Sequence, residues 1–238
     1  IALDVHTTDG QGAERCMGEA FETTASSLSV HVEATGTADI EEVLIVRGRP
    51  GSGTETVGRY PAEMARDRRR LRVVWSGARI KGRDRIATWD GELRLHGVEL
   101  TGAEGYAFDS ASEGIRAQSV SHVAWESVTS GDEDGVILDL AGDADGAKLE
   151  FSSSICSFQL DLDELSAGPF IQEAGGEGLQ VCVEYLPAGV GSRHVRFDAD
   201  VELPVCDTST AVYIRLTQVD GARAWSSPFY VRRLGDTG

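Results

Sequence analysis

The chain has 238 residues, 41% of them apolar and 26% charged, a balance that excludes a disordered polymer and leaves about 70% of the chain's surface to bury in one or two domains. With 39 Asp+Glu against 22 Lys+Arg the formal net charge is -17, which excludes nucleic acid as a partner of the whole protein, because phosphate binding needs positive surface. No apolar run has the length of a membrane-spanning helix, so no membrane partner is expected.

Period-two alternation runs through the chain. Residues 1–6 read as a strand already in full stride, which carries the expectation that this is a piece of a longer protein. Alternation follows at 29–33 and 42–47. Residues 70–75 place Leu71, Val73 and Trp75 on one face and arginines on the other. Further runs lie at 92–96, 136–140, 158–162, 179–183, 195–197 and 212–216. Such alternation makes one face apolar and one wet, the pattern of antiparallel sheets. Asp90-Gly91, Asp134-Gly135, Asp145-Gly146 and Asp220-Gly221 read as turns between the runs. Only residues 62–70 and 161–165 read as helical, and both are short.

The pattern predicts an all-β protein of about a dozen strands. The expected architecture is an antiparallel, immunoglobulin-like β-sandwich with a second β-sheet unit inserted in it. Residues 1–75 with 205–238 form the discontinuous sandwich, and 76–204 form the insert. A continuous division near Arg79 is the alternative. Residues 212–231 read as the closing hairpin of the sandwich, with Val212, Ile214 and Leu216 inward and Tyr213 out of phase, so Tyr213 is not the buried tyrosine corner of that fold.

Residue counts add little chemistry. Lysine occurs twice (Lys81 and Lys148) against 20 arginines, as in proteins of GC-rich genomes or salt-adapted organisms. The four cysteines, Cys16, Cys156, Cys182 and Cys206, lack zinc-site spacing. They read as partly buried thiols, with one or two disulfides as the alternative, and the cytoplasm is slightly favoured as compartment.

Four features carry candidate chemistry. His6, in the run Asp4-Val5-His6-Thr7-Thr8-Asp9-Gly10, is a lone ligand where a catalytic zinc site needs about three, so a surface strand entering a turn is the default. The acidic loops are Asp132-Glu133-Asp134-Gly135 and Asp143-Ala144-Asp145-Gly146; with Asp143 and Asp145 as middle ligands, the EF-hand pattern fails at both ends, with Ala141 first and Ser152 last. They read as solvated turns, with a looser calcium site as the alternative. No cofactor or metal is assigned. Residues 66–94 hold ten basic side chains against four acidic ones, locally +6 in a remainder of -23. Within that island Arg79, Lys81, Arg83, Arg85 and Trp89 form the candidate docking or anion-binding surface. Carboxylate-paired arginines on a wet strand face, or an Arg-on-Trp stack that fixes a turn, are the plainer readings. Trp75, Trp89, Trp125 and Trp225 all have apolar neighbours in phase, so core packing is expected for them over a sugar-binding platform. No nucleophile elbow or phosphate-binding loop is present, so no catalytic residue is assigned.

Several of these residues fall in an ordered set of motifs. Cys16-Met17-Gly18-Glu19 comes first, then Trp75-Ser76-Gly77-Ala78, Gly82-Arg83-Asp84-Arg85 and Trp89-Asp90-Gly91. Phe108-Asp109, Gly114-Ile115, Trp125, Thr129, Gly131 and Asp134-Gly135 follow. The chain closes with Tyr213-Ile214-Arg215-Leu216-Thr217-Gln218 and Ala224-Trp225-Ser226-Ser227-Pro228. This set resembles the C-terminal β region of the domain-of-unknown-function family 3604, bacterial and archaeal proteins whose preceding part resembles a metal-dependent hydrolase barrel of the polymerase-and-histidinol-phosphatase type. The resemblance implies that the barrel and its metal ligands lie upstream of Ile1, and that this chain is not itself an enzyme. Its expected role is a non-catalytic accessory module that packs on or covers that barrel, or holds a homo-oligomer together. A carbohydrate- or anion-binding module is the alternative.

Overall fold

The computed structural model describes residues 1–9, 12–49, 51, 53–60, 66–78, 86–187, 192–205 and 208–235. Among them the chain is all-β, with 22 strands, one 3-10 turn and no α-helix. It divides into two compact units, residues 1–64 with 189–238, and residues 65–188. The second unit is inserted in sequence into the first.

The first unit begins with β1 (Ala2–Thr8), β2 (Glu14–Cys16), β3 (Ala20–Thr23), β4 (Ser27–Thr35), β5 (Ile40–Arg49) and β6 (Gly53–Tyr60). The insert contributes β7 (Arg66–Ala78), β8 (Ala87–Thr88), β9 (Gly91–His96), β10 (Leu100–Tyr106), β11 (Gly114–Ser119), β12 (His122–Glu126), β13 (Val128–Thr129), β14 (Glu133–Leu140), β15 (Lys148–Ser153), β16 (Ser157–Asp161), β17 (Phe170–Gly175) and β18 (Glu177–Pro187). The first unit then resumes with β19 (His194–Glu202), β20 (Thr210–Gln218), β21 (Arg223–Trp225) and β22 (Phe229–Arg233).

In the first unit one sheet runs β19-β4-β1-β2 and the other β3-β22-β20-β5-β6. The inward residues Val5, Leu28, Val30 and Val32 of one sheet share a core with Val43, Ile45, Val212, Ile214, Leu216 and Phe229 of the other, the antiparallel sandwich that the alternation implies. A parallel pairing, the one among the described residues, sets β3 beside β22. The opening stretch thus gives β1 to one sheet and β3 to the other, as a split first strand does in an immunoglobulin-like fold.

The closing strand is broken, and Ala224-Trp225-Ser226-Ser227-Pro228 is the break. Trp225 pairs with Arg215 and Phe229 with Val212. Between them the Ser226 hydroxyl accepts the Ile214 amide N–H at 2.9 Å and the Ser226 amide donates to the Ile214 carbonyl at 3.0 Å. Pro228, which has no N–H, offers its carbonyl to the Gly18 amide. Gln218, fully buried, accepts from the Thr37 amide and donates to the Thr37 hydroxyl and to Asp220, tying the strand end to the loop after β4.

The insert is a second sandwich. Its two five-stranded sheets run β10-β14-β7-β18-β17 and β11-β12-β9-β15-β16, with β8 and β13 as a small extra pair. Leu71, Val73 and Trp75 from one sheet meet Leu93, Leu95, Trp125 and Phe151 from the other. The Trp75 and Trp125 rings stack at 4.4 Å.

Several expectations change. The units divide at 64/65 and 188/189, not at 75/76 and 204/205. The reason is pairing: β7 is the central strand of an insert sheet, between β14 and β18, and β19 pairs with β4 along all nine of its residues. The expected dozen strands are 22, because loops divide several runs into short pieces. Residues 66–70 of the first expected helix are strand, and residues 61–65 lie outside the described residues. The second is the 3-10 turn Leu162–Ser166, opened by Asp161 accepting from the Asp163 amide. Asp134-Gly135 is not a turn but lies inside β14. A Cβ on Gly135 would stand 2.4 Å from the Val73 carbonyl oxygen, so close strand approach is what calls for glycine there.

Candidate functional site

Several of the motif residues of the insert are joined by one set of hydrogen bonds, Trp75, Gly77, Trp89, Asp90, Trp125, Thr129 and Asp134 among them. Two parallel relays run in that set, each from an indole through a hydroxyl. Trp75 Nε1 donates to Ser127 Oγ at 2.8 Å, and that hydroxyl donates to Asp134 Oδ2 at 2.6 Å. Trp89 Nε1 donates to Thr129 Oγ1 at 2.9 Å, and that hydroxyl donates to the Gly77 carbonyl at 2.7 Å. The third indole, Trp125, donates to the Trp89 carbonyl at 2.7 Å. Asp90 accepts from the Ser127 amide at 3.1 Å. Each of these indole, hydroxyl and amide donors thus has its acceptor, as low-dielectric interiors require.

Asp134 is the exception. It is 1% exposed, yet its Oδ1 has no hydrogen-bond partner. Burial pushes its carboxyl up to about 7, opposed by the Ser127 hydroxyl and reinforced by Glu113, Asp132 and Asp109.

The expected docking surface is only partly within view. Arg79, Lys81, Arg83 and Arg85 lie outside the described residues. Trp89 is fully buried, so it offers no surface to a partner; its indole opens the second relay instead. The described arginines of the basic stretch sit beside carboxylates: Arg68 with Asp145 and Asp163, Arg70 with Asp139, Arg72 with Glu184, Arg94 with Glu92. Trp75 and Trp125 are core residues, but Trp225 is 58% exposed, against its expected packing.

A second polar cluster lies on the outer face of the sheet β19-β4-β1-β2. Register places Cys16, His6, His31 and Asp198 in one row across four strands. The His6 and His31 rings stack at 4.7 Å. His31 Nδ1 lies 2.7 Å from Asp198 Oδ1, and its Nε2 lies 3.2 Å from the Thr8 hydroxyl, so the ring is held from both nitrogens. His6, His31 and Asp198 of that row line an open cleft together with Asp4, Glu33 and Arg196. The His31 contribution escaped the sequence reading because register between distant strands is not written locally; the in-phase pair His6 and His31 was the only signal.

Among the described residues, no three or more His, Cys, Asp or Glu side chains are placed to hold a metal ion. Cys16, Cys156 and Cys182 are free thiols; burial, with Glu184, pushes Cys182 up to about 11, an inert thiol at neutral pH. Cys206 lies outside the described residues.

Comparison of the chain with family models, curated proteins and solved structures found no match.

Proposed function

We propose that this chain is a non-catalytic β module of a larger metal-dependent hydrolase, and that it packs on or covers the mouth of the catalytic barrel. The observation that carries this reading is the fate of the motif residues. Trp75, Trp89 and Trp125 are buried with every indole N–H bonded internally, and Ser226 and Gln218 join strands. Side chains so engaged hold a scaffold together and leave no platform for a sugar ring. The resemblance to the domain-of-unknown-function family 3604 supplies the parent class.

The exposed Trp225 favours one alternative, a carbohydrate- or anion-binding module, because a wet indole is the usual sugar contact. The two readings separate experimentally. Hydrolase screens on this chain, metal-free and loaded with zinc or manganese, are expected to be blank, and so is a glycan array. Robust turnover overturns the accessory reading, and glycan retention lost in Trp225→Ala establishes the alternative. The parent class predicts a His-x-His strand encoded upstream of Ile1. With that segment co-expressed, reversing the charge at Arg83 and Arg85 is expected to weaken association by tenfold or more, on the order of a buried charge pair. Unchanged association and parent activity remove the basic stretch from the interface.

A further inference from the structure

The unpartnered oxygen of Asp134 demands an account. A buried carboxylate needs a cation, donors or a proton. A cation is not what the cluster is shaped for: Asp109, Glu113, Asp132 and Asp134 do not converge on one point, and Glu113 already accepts from the Ser110 and Val128 amides. Among the described residues one donor reaches it, the Ser127 hydroxyl. The charged groups acting, among the described residues, from the neighbouring segments are carboxylates: Asp109 and Glu113 from the loop between β10 and β11, and Asp132 from the turn before β14. Asp90, which precedes β9, bonds the Ser127 amide, and Glu133 on β14 bonds the Tyr106 hydroxyl at 2.9 Å.

We propose that Asp134 is a proton-operated latch: the folded insert holds it as the neutral acid, and loss of that proton to water loosens the 127–134 segment and the Ser127 anchor of Trp75. The two opposing forces are visible in the geometry. The Ser127 hydrogen bond favours the anion, whereas burial and three carboxylates disfavour it, and the second set prevails. The latch would make the relays of the insert the pH-responsive part of the module.

The sign follows from linkage. The opened segment returns Asp134 to its ordinary value of 3.8, while the closed segment holds it at about 7. Opening therefore releases one proton between those limits. The latch is fully closed below the lower limit and loses its hold as pH rises through the upper one.

Amide hydrogen exchange on the full chain tests this. For residues 127–134 and the Trp75 indole, the logarithm of the exchange rate should climb with a slope of about two per pH unit between roughly pH 4 and 7, one from hydroxide catalysis and one from the linked proton. Above pH 7 the slope should fall to about one. Amides of β5 and β20, which belong to the other unit, should keep a slope of about one throughout. Asp134→Asn should abolish the steep range. Ser127→Ala, which removes the hydroxyl donor to the anion, should extend it above neutral pH and serves if the first variant does not fold. A slope of one in the native chain overturns the latch, as does an unchanged break in Asp134→Asn. Millimolar calcium that removes the break also overturns it, by showing that a cation serves the free oxygen.

Discussion

Trp75→Ala should destabilise the insert by about 3–5 kcal/mol, the range for deleting a fully buried aromatic ring. The indole is completely buried, stacked on Trp125 at 4.4 Å and tilted against Phe151 and Phe108 at 6.2 and 6.3 Å. Its loss opens a cavity between two sheets that relax only in part. It also removes the donor to Ser127, which leaves that hydroxyl bonded to Asp134 alone. Urea unfolding followed by far-UV circular dichroism measures the effect without relying on the lost fluorophore. Trp225→Ala is the internal control: with its ring 58% exposed, the change should stay within about 0.5 kcal/mol. Equal costs at the two sites would show that the two tryptophans sit in equivalent environments, and would remove the structural argument for the accessory reading.

The contrast between these two tryptophans shows what sequence can carry. Leu71, Val73 and Trp75 alternate with arginines, and all three are buried while Arg70 and Arg72 reach carboxylates on the other face. Alternation of this kind is a local property, so both the inward face and the all-β class were legible. Trp225 has apolar neighbours too, but its strand is interrupted for three residues before pairing resumes at Phe229, and the Ser226 hydroxyl bridges the gap. Side-chain direction across such a break is set by a tertiary hydrogen bond, not by period. The same holds for Asp134-Gly135. A turn is the local expectation, yet the pair sits in β14 because Gly135 lets the strand approach Val73 closely. The site was illegible for the related reason that both relays join residues 40 to 52 positions apart. The motif residues were visible one by one, but that they form one network depends on sheet pairing that no local signal encodes.

The unit boundaries follow the same logic. Residues 66–78 alternate as well as any strand of the first unit, so alternation alone could not assign them. The assignment is made by partners: Trp75 lies opposite Asp134 on one side and Val181 on the other. A strand flanked on both sides by insert strands belongs to the insert, and the Asp134 latch is built on that pairing.

Gly77→Ala should be the most damaging small substitution at the relays, costing about 2–5 kcal/mol from two sources. Gly77 has a φ of +100°, where a Cβ-bearing residue is strained by roughly 1–2 kcal/mol. Its Cβ would also stand 2.3 Å from the Gly178 carbonyl oxygen and 2.5 Å from the Leu179 nitrogen. That is backbone, which cannot swing aside as a flexible side chain can, and forced overpacking typically adds 1–3 kcal/mol. The damage should spread, because the Gly77 carbonyl accepts from the Thr129 hydroxyl and the Gly131 amide while its own amide donates to the Asp132 carbonyl. A shift of β7 at this point therefore withdraws the acceptor that closes the Trp89 relay and moves the turn that leads into Asp134. Two readouts should change together in Gly77→Ala: the unfolding midpoint in urea falls, and the Trp89 indole N–H exchanges faster. Gly146→Ala makes the comparison, since it too has a positive φ, of +67°, but its Cβ would meet nothing within 4 Å. It should show the backbone strain alone, with Trp89 exchange unchanged. If the two variants proved equally costly and equally silent at Trp89, the close approach to Gly178 would contribute nothing, and the tight joining of β7, β13 and β18 at the relays would have to be abandoned.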